Sequence, residues 1–343
     1  MFVRMRARLL LALVLVLCGV PAADSEGALA VPDRRTPAEI VAGAAAGDWI
    51  DIRPEDLLVM TLAPDAKGRP RTVILQLAPA PVSAGWVANI RRLAAARWWD
   101  GASVYRVQDN YVAQWGHAEG AEPARARALP DGLVAVPEAD YVTRVAIAAR
   151  EAATRRLTSR TSRVDPYAGR SFFLDGWPMA SDNLSDSPVV DAQTGRPPAA
   201  RTHEGAWPVH CYGAVGVARG MPPDTGSGTD LYVVIGHAPR QLDRNIALVG
   251  RVIEGIEHLA GLPRGPAPMG VHDDAGARTP IASVRLASDL PAAERPRLQF
   301  LATETEVFGR YADARANRRD PFYLVPAGGA DICNIPVPIR RRP

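Results

Sequence analysis

One stretch constrains the chain more than any other: Trp98 to Gly116, W-W-D-G-A-S-V-Y-R-V-Q-D-N-Y-V-A-Q-W-G. Asp100-Gly101 is a turn dipeptide. The run that follows, Val104 to Val107, is β-branched and aromatic, as a half-buried strand requires. Arg106 sits inside it and breaks any simple two-faced alternation. An arginine there needs a partner or a task, because charged side chains are rarely buried alone. Taken by itself it reads equally as a paired arginine in a barrel wall, with Gln114 as its hydrogen-bonding neighbour. With 31 prolines and 29 glycines in 343 residues, β-structure with many turns is favoured over a helical bundle.

Strand runs surround this stretch. Leu57–Met60 and Thr72–Leu77 flank a turn at Asp65–Gly68. A helix is expected near 83–97, with Ser83 at its N-cap and Val87, Ile90, Leu93 and Ala94 on one face. Residues 118–209 lack clear periodicity apart from apolar islands at Tyr141–Ala149 and Phe172–Trp177, and read as a partly ordered insertion. Regular structure returns with strands at Ala214–Ala218, Leu231–Gly236 and Ala247–Val252, a helix near 253–262, and a last strand at Ile281–Leu286. Residues 23–56 read as a linker with one short helix near 37–45, and 287–343 as a C-terminal extension. In the extension Thr303-x-x-Glu306 suggests a capping box.

The N-terminus carries an export signature. Arg4, Arg6 and Arg8 precede an apolar run, Leu9–Leu17, too short to span a bilayer, and Val20-Pro21-Ala22 offers a cleavage site after Ala22. The expected location is the periplasm. Cys18 raises a lipoprotein alternative, although Leu17 stands where a small residue is wanted. Removing residues 1–22 takes the formal charge from +3 to zero, so nothing global points to nucleic acid. No second long apolar run follows, so no membrane insertion is expected after removal of the signal. Cys211 and Cys333 remain as disulfide candidates, or as two separate buried thiols.

Side chains for the commoner chemistries are missing from the pattern. The six histidines include no pair at helix-borne zinc spacing, and His203, His210 and His272 read as surface polarity, so no metal and no cofactor is expected. No serine occupies a glycine-flanked nucleophile elbow. Gly226-Ser227-Gly228 lacks the lysine of a phosphate loop.

The order of motifs is recognisable. D-G-x-x-x-x-R-V-x-x-x-Y-V-x-Q-x-G is followed by G-x-V-G-V-A, G-T-D-L-Y-V-V-I-G and L-D-R-N-I-A-L-V-G-R-V-I-E-G. Over about 57–117 and 211–286 this resembles the cyclophilin family of peptidyl-prolyl cis-trans isomerases. The resemblance implies a mainly β fold: a closed, eight-stranded antiparallel β-barrel with two capping helices, here in a domain spanning 57–286. It also implies an enzyme that rotates X-Pro bonds, with proline-containing polypeptides as partners and a monomeric state.

Site residues follow by the same resemblance. Arg106 matches the catalytic arginine. Tyr111 and Val112 match residues lining the proline pocket, Gln114 a glutamine, Ala218 a contact to the substrate backbone and Leu242 a pocket leucine. Elsewhere the family pattern is replaced: Tyr105 stands for His, Arg219 for Asn, Asp230 for Gln, Tyr232 for the pocket Phe, Gln241 for Trp and Ile246 for His. These replacements keep open a second reading, a catalytically weak peptide-binding chaperone or an envelope scaffold.

Overall fold

The structure is a computed structural model that describes residues 34–118, 127–146, 165–182 and 203–343. The expected signal peptide, with Cys18, lies outside the described residues. In chain order the strands are β1 Trp49–Asp51, β2 Leu57–Leu62, β3 Arg71–Leu77, β4 Ser103–Val107, β5 Val112–Gly116, β6 Thr143–Ala146, β7 Arg170–Leu174, β8 Trp177–Ser181, β9 His203–Pro208, β10 Ala214–Val217, β11 Leu231–Val234, β12 Leu248–Glu254, β13 Thr279–Leu286, β14 Leu298–Leu301 and β15 Ile339–Arg341. The helices are α1 Pro37–Ala42, α2 Ala84–Ala95, α3 Glu257–Ala260 and α4 Glu306–Ala316.

Eight strands close into an antiparallel barrel in the order β10-β11-β5-β4-β13-β2-β3-β12. Closure removes exposed edges and leaves an interior to be filled by side chains. Leu58, Met60 and Leu62 of β2 and Val73, Leu75 and Leu77 of β3 supply part of that filling. The apolar stripe of α2, including Trp86, Ile90 and Leu93, is fully buried against the same core. Ser83 does precede α2 but does not cap it: its φ is +48° and its side chain accepts no backbone N–H. The indole N–H of Trp86 instead donates to the carbonyls of Thr225 and Gly226, tying α2 to the 225–228 loop.

The outer faces of β2 and β3 are buried too. Leu57 and Ile74 join a second apolar cluster with Trp49, Phe173, Trp207, Leu301, Phe308 and Ile335. Three parts of the chain build it. Residues 34–56 contribute α1 and β1, and β1 pairs with β14. The region 118–209 contributes a four-stranded sheet in the order β6-β9-β8-β7. The C-terminal region contributes β14, α4 and β15, with β14 flanked by β1 and β15. Ile281–Leu286 is therefore not the last strand, as expected from the sequence. The helix signal also shifts: Thr305, not Thr303, caps α4 by accepting from the Phe308 amide. Thr303 instead accepts from the Gly176 amide. A Cys211–Cys333 disulfide, Cα–Cα 5.0 Å, joins the start of the β10 region to the C-terminal segment.

Candidate active site

The β4–β5 hairpin carries Arg106, and its register explains the broken alternation. Pairing slips between Val104 and Arg106, so Tyr105 is the extra residue of a bulge. Both Tyr105 and Arg106 consequently reach Gln114 on the facing strand. Arg106 Nη1 donates to Gln114 Oε1 at 3.0 Å, and Gln114 Nε2 donates to Tyr105 Oη. The guanidinium is held on its other sides as well, by the Met269 carbonyl at 2.8 Å from Nε and by Gln108 Oε1 at Nη2. Its carbon lies 5.8 Å from the centre of the Tyr111 ring. Every one of these acceptors is neutral, so the positive charge is positioned without being cancelled.

Tyr105 passes the network to Asp230, donating to Oδ1 at 3.1 Å. Burial pushes the Asp230 carboxyl above its ordinary range, opposed by the hydrogen bonds from Tyr105 and Thr229. Burial, with the neighbouring Asp230 charge, raises the Tyr105 phenol, so it stays a proton donor at neutral pH. Gly116 is required at this point, since a Cβ there would lie 2.0 Å from Asp230 Oδ1. Tyr105, Gln114, Ala218, Arg219 and Asp230 line a cleft of about 970 Å³, together with Trp98, His117 and Arg127. Arg219 closes one edge of the site by donating to the Asn245 carbonyl from Nε and Nη2.

Tyr111, beside Arg106, is partly buried against the core that contains Val112 and Tyr232, as are Leu242 and Ile246. Val112 and Tyr232 are 2% and 4% exposed. Gln241 lies exposed on the turn Arg240–Leu242.

The reason Tyr232 is covered is His210, expected at the surface from the sequence but only 1% exposed. His210 Nδ1 lies 2.9 Å from Asp243 Oδ1, and Nε2 lies 2.9 Å from Tyr232 Oη. Although burial opposes its ionisation, the His210 hydrogen bond and the charge of Arg240 hold Asp243 below the usual carboxylate range. An ionised Asp243 holds a proton on Nδ1 and so orients the ring with Nε2 toward the Tyr232 hydroxyl. Asp243 also accepts from Arg240 Nε at 2.6 Å, and Arg240 Nη1 reaches Asp165 at 2.8 Å. This chain of buried groups ties the floor of the site to the 118–209 region. The Arg240–Asp243 spacing was a readable ion-pair signal, whereas nothing local marked His210.

A family model for "Cyclophilin type peptidyl-prolyl cis-trans isomerase/CLD" matches residues 72–286, more than half of the chain. The chain belongs to the cyclophilin family. The match includes the β4–β5 hairpin and β10–β13, and so takes in every strand of the cyclophilin barrel except β2 and the first residue of β3. Among solved structures, the cyclophilin AquaCyp293 from Hirschia baltica is similar with a TM-score of 0.58 and 21% identity, over 85% of this chain and 92% of that one. That likeness is one of fold. A cyclophilin type peptidyl-prolyl cis-trans isomerase from Cryptosporidium parvum, crystallised in the presence of the dipeptide Ala-Pro, gives a TM-score of 0.36 and 10% identity over 66% of this chain and 98% of that one. No curated protein matches the sequence. Among the described residues of this cyclophilin, no cluster of three metal-ligating side chains is found.

Proposed function

We propose that this chain is an exported peptidyl-prolyl isomerase in which Arg106 stabilises the twisted amide of an X-Pro bond. The observation that carries the reading is the Arg106 guanidinium, fixed by Gln114, Gln108 and Met269 with its carbon 5.8 Å from the centre of the Tyr111 ring. Amide resonance sets a rotation barrier of about 18–20 kcal/mol, and X-Pro isomers differ little in energy but exchange slowly. No bond breaks, so neither a nucleophile nor a metal is needed. As the bond twists, the prolyl nitrogen regains its lone pair and becomes an acceptor. A preorganised cation near that nitrogen binds the twisted state better than either planar one. A planar donor fork held by three acceptors suits this better than a mobile ammonium. Tyr111 and its neighbours offer the pyrrolidine ring an apolar seat, and Gln114 and the Ala218 backbone region offer polar contacts along the chain.

Export is supported by the Arg4/Arg6/Arg8 and Leu9–Leu17 pattern and by the Cys211–Cys333 bond, since disulfides persist in oxidising compartments. Proline-containing segments of periplasmic proteins are then the substrates, and the protein acts as a monomer. The test is a coupled proline-isomerisation assay on residues 23–343 beside Arg106→Ala. We expect the substitution to lower kcat/KM by about 100-fold; equal rates would sink the assignment. A new N-terminus at Ala23 in the periplasmic fraction tests export.

A further inference from the structure

We propose that the cavity between the barrel, the 118–209 sheet and the C-terminal segment binds a small apolar monocarboxylate, with Arg251 as its counter-charge. The cavity measures about 280 Å³ and its wall is mainly apolar, including Phe173, Trp177, Leu248, Ile256, Ile335 and Val337. An apolar cavity of roughly 150 Å³ is enough to take up a benzene ring. The space here therefore suits a short aliphatic or aromatic body.

Arg251 is the charged exception in this wall. Its hydrogen-bond acceptors are all neutral: Gln76 Oε1 receives Nε at 3.0 Å and Nη2 at 2.7 Å, and the Gly176 carbonyl receives Nη1 at 2.7 Å. These three bonds leave one N–H on each terminal nitrogen, the number a carboxylate can take. The guanidinium also lies 4.6 Å from the centre of the Trp177 ring. Arg240 shows what the same fold does with a fully buried arginine, giving it two carboxylates, Asp165 and Asp243. Among the described residues no carboxylate pairs with Arg251. Its pKa is pulled down to about 9 by removal from water alone.

An uncompensated cation beside an apolar hollow is costly unless an anion shares the site. Gln76, Gly176 and Trp177 hold the guanidinium in place without neutralising it, which leaves its charge for a ligand. The hollow gives that ligand's apolar body somewhere to go, so the two features together define an amphiphilic acid. This site stands apart from Arg106 and does not depend on the isomerase reading.

The test is titration of the whole mature chain with octanoate, 1-octanol and octylammonium, followed by calorimetry and tryptophan fluorescence. Octanoate should bind at least 10-fold more tightly than octanol, and octylammonium more weakly than either. Arg251→Gln should erase the preference for the acid. Ile256→Trp keeps the arginine but occupies the hollow, and should weaken octanoate and octanol alike. Equal binding of acid and alcohol to the unsubstituted protein overturns the proposal, as does octanoate binding that Ile256→Trp leaves untouched, or no binding at millimolar octanoate. The comparison of probes on the unsubstituted protein decides the matter even if Arg251→Gln does not fold.

Discussion

Removing His210 from beneath the site is the most informative single perturbation. His210→Ala deletes a hydrogen bond to an ionised carboxylate and another to a buried phenol. Bonds to charged groups contribute about 1.5–3 kcal/mol and neutral ones about 0.5–1.5 kcal/mol. Asp243 keeps Arg240 as a partner, so its charge is not abandoned, whereas Tyr232 Oη loses the bond that seals it. The expected loss is therefore about 3 kcal/mol of stability. Tyr232→Phe removes the same neutral bond from its other end and should cost about 1–2 kcal/mol by leaving Nε2 unpaired. Because both substitutions break one shared bond, the double variant should fall short of the sum by about 1 kcal/mol. Urea unfolding followed by tryptophan fluorescence gives all four stabilities, provided the slope with denaturant is unchanged. Strict additivity would show that His210 and Tyr232 do not share a bond in solution and would refute the account of the floor. The same variants should lower isomerase activity, because Tyr232 supports the surface on which proline is seated.

Phe308 is fully buried, 5.0 Å from Phe173 in an edge-on contact, so Phe308→Ala should cost about 3–5 kcal/mol in urea unfolding. Its effect on isomerisation should follow stability alone. Asp230 has a raised pKa, so the folded state holds its proton more tightly than the unfolded state does, and stability falls as pH rises from the ordinary value of 3.8 through the raised one. Asp230→Asn should therefore melt at a higher temperature than the parent at neutral pH, with the difference vanishing below that window; a constant difference across pH would contradict it. The disulfide closes a separation of 122 residues, and Cys333→Ser should cost about 2–5 kcal/mol relative to the oxidised protein, measured by thermal unfolding with and without reductant.

The barrel was legible because its strands announce themselves locally. Leu231–Val234 and the β4–β5 hairpin have turn signals at their ends and apolar residues between. The disorderly alternation around Tyr105 and Arg106 was legible too, but as a puzzle whose solution, a bulge, depends on the facing strand. The β7–β8 hairpin turns on Asp175-Gly176, both at positive φ, a two-residue turn signal that was present but hidden by the surrounding proline-rich sequence. β15 is Ile-Arg-Arg, with no apolar pattern to find, and exists because β14 presents an edge to it. His210 could not be seen at all. Its burial is made by Asp243 and Tyr232, 33 and 22 residues further along the chain. In the site, residue types were carried by motif order, whereas the depth of Val112 and Tyr232 and the exposure of Gln241 were decided by tertiary packing.

The two faces of β3 have a consequence for how this protein can be divided. Val73, Leu75 and Leu77 face the barrel interior, and Ile74 faces the second cluster, so the strand is buried on both faces from Val73 to Leu77. The stretch 72–286, matched by the family model, leaves out α1, β1, β14 and α4, which contribute to the cluster on the outer side of β3. Cut out by itself, it would carry an apolar flank evolved to be covered by α1, α4 and β14, and would meet other copies of itself before it met a substrate. The flanking segments thus make this barrel wall an internal partition, apolar on both sides.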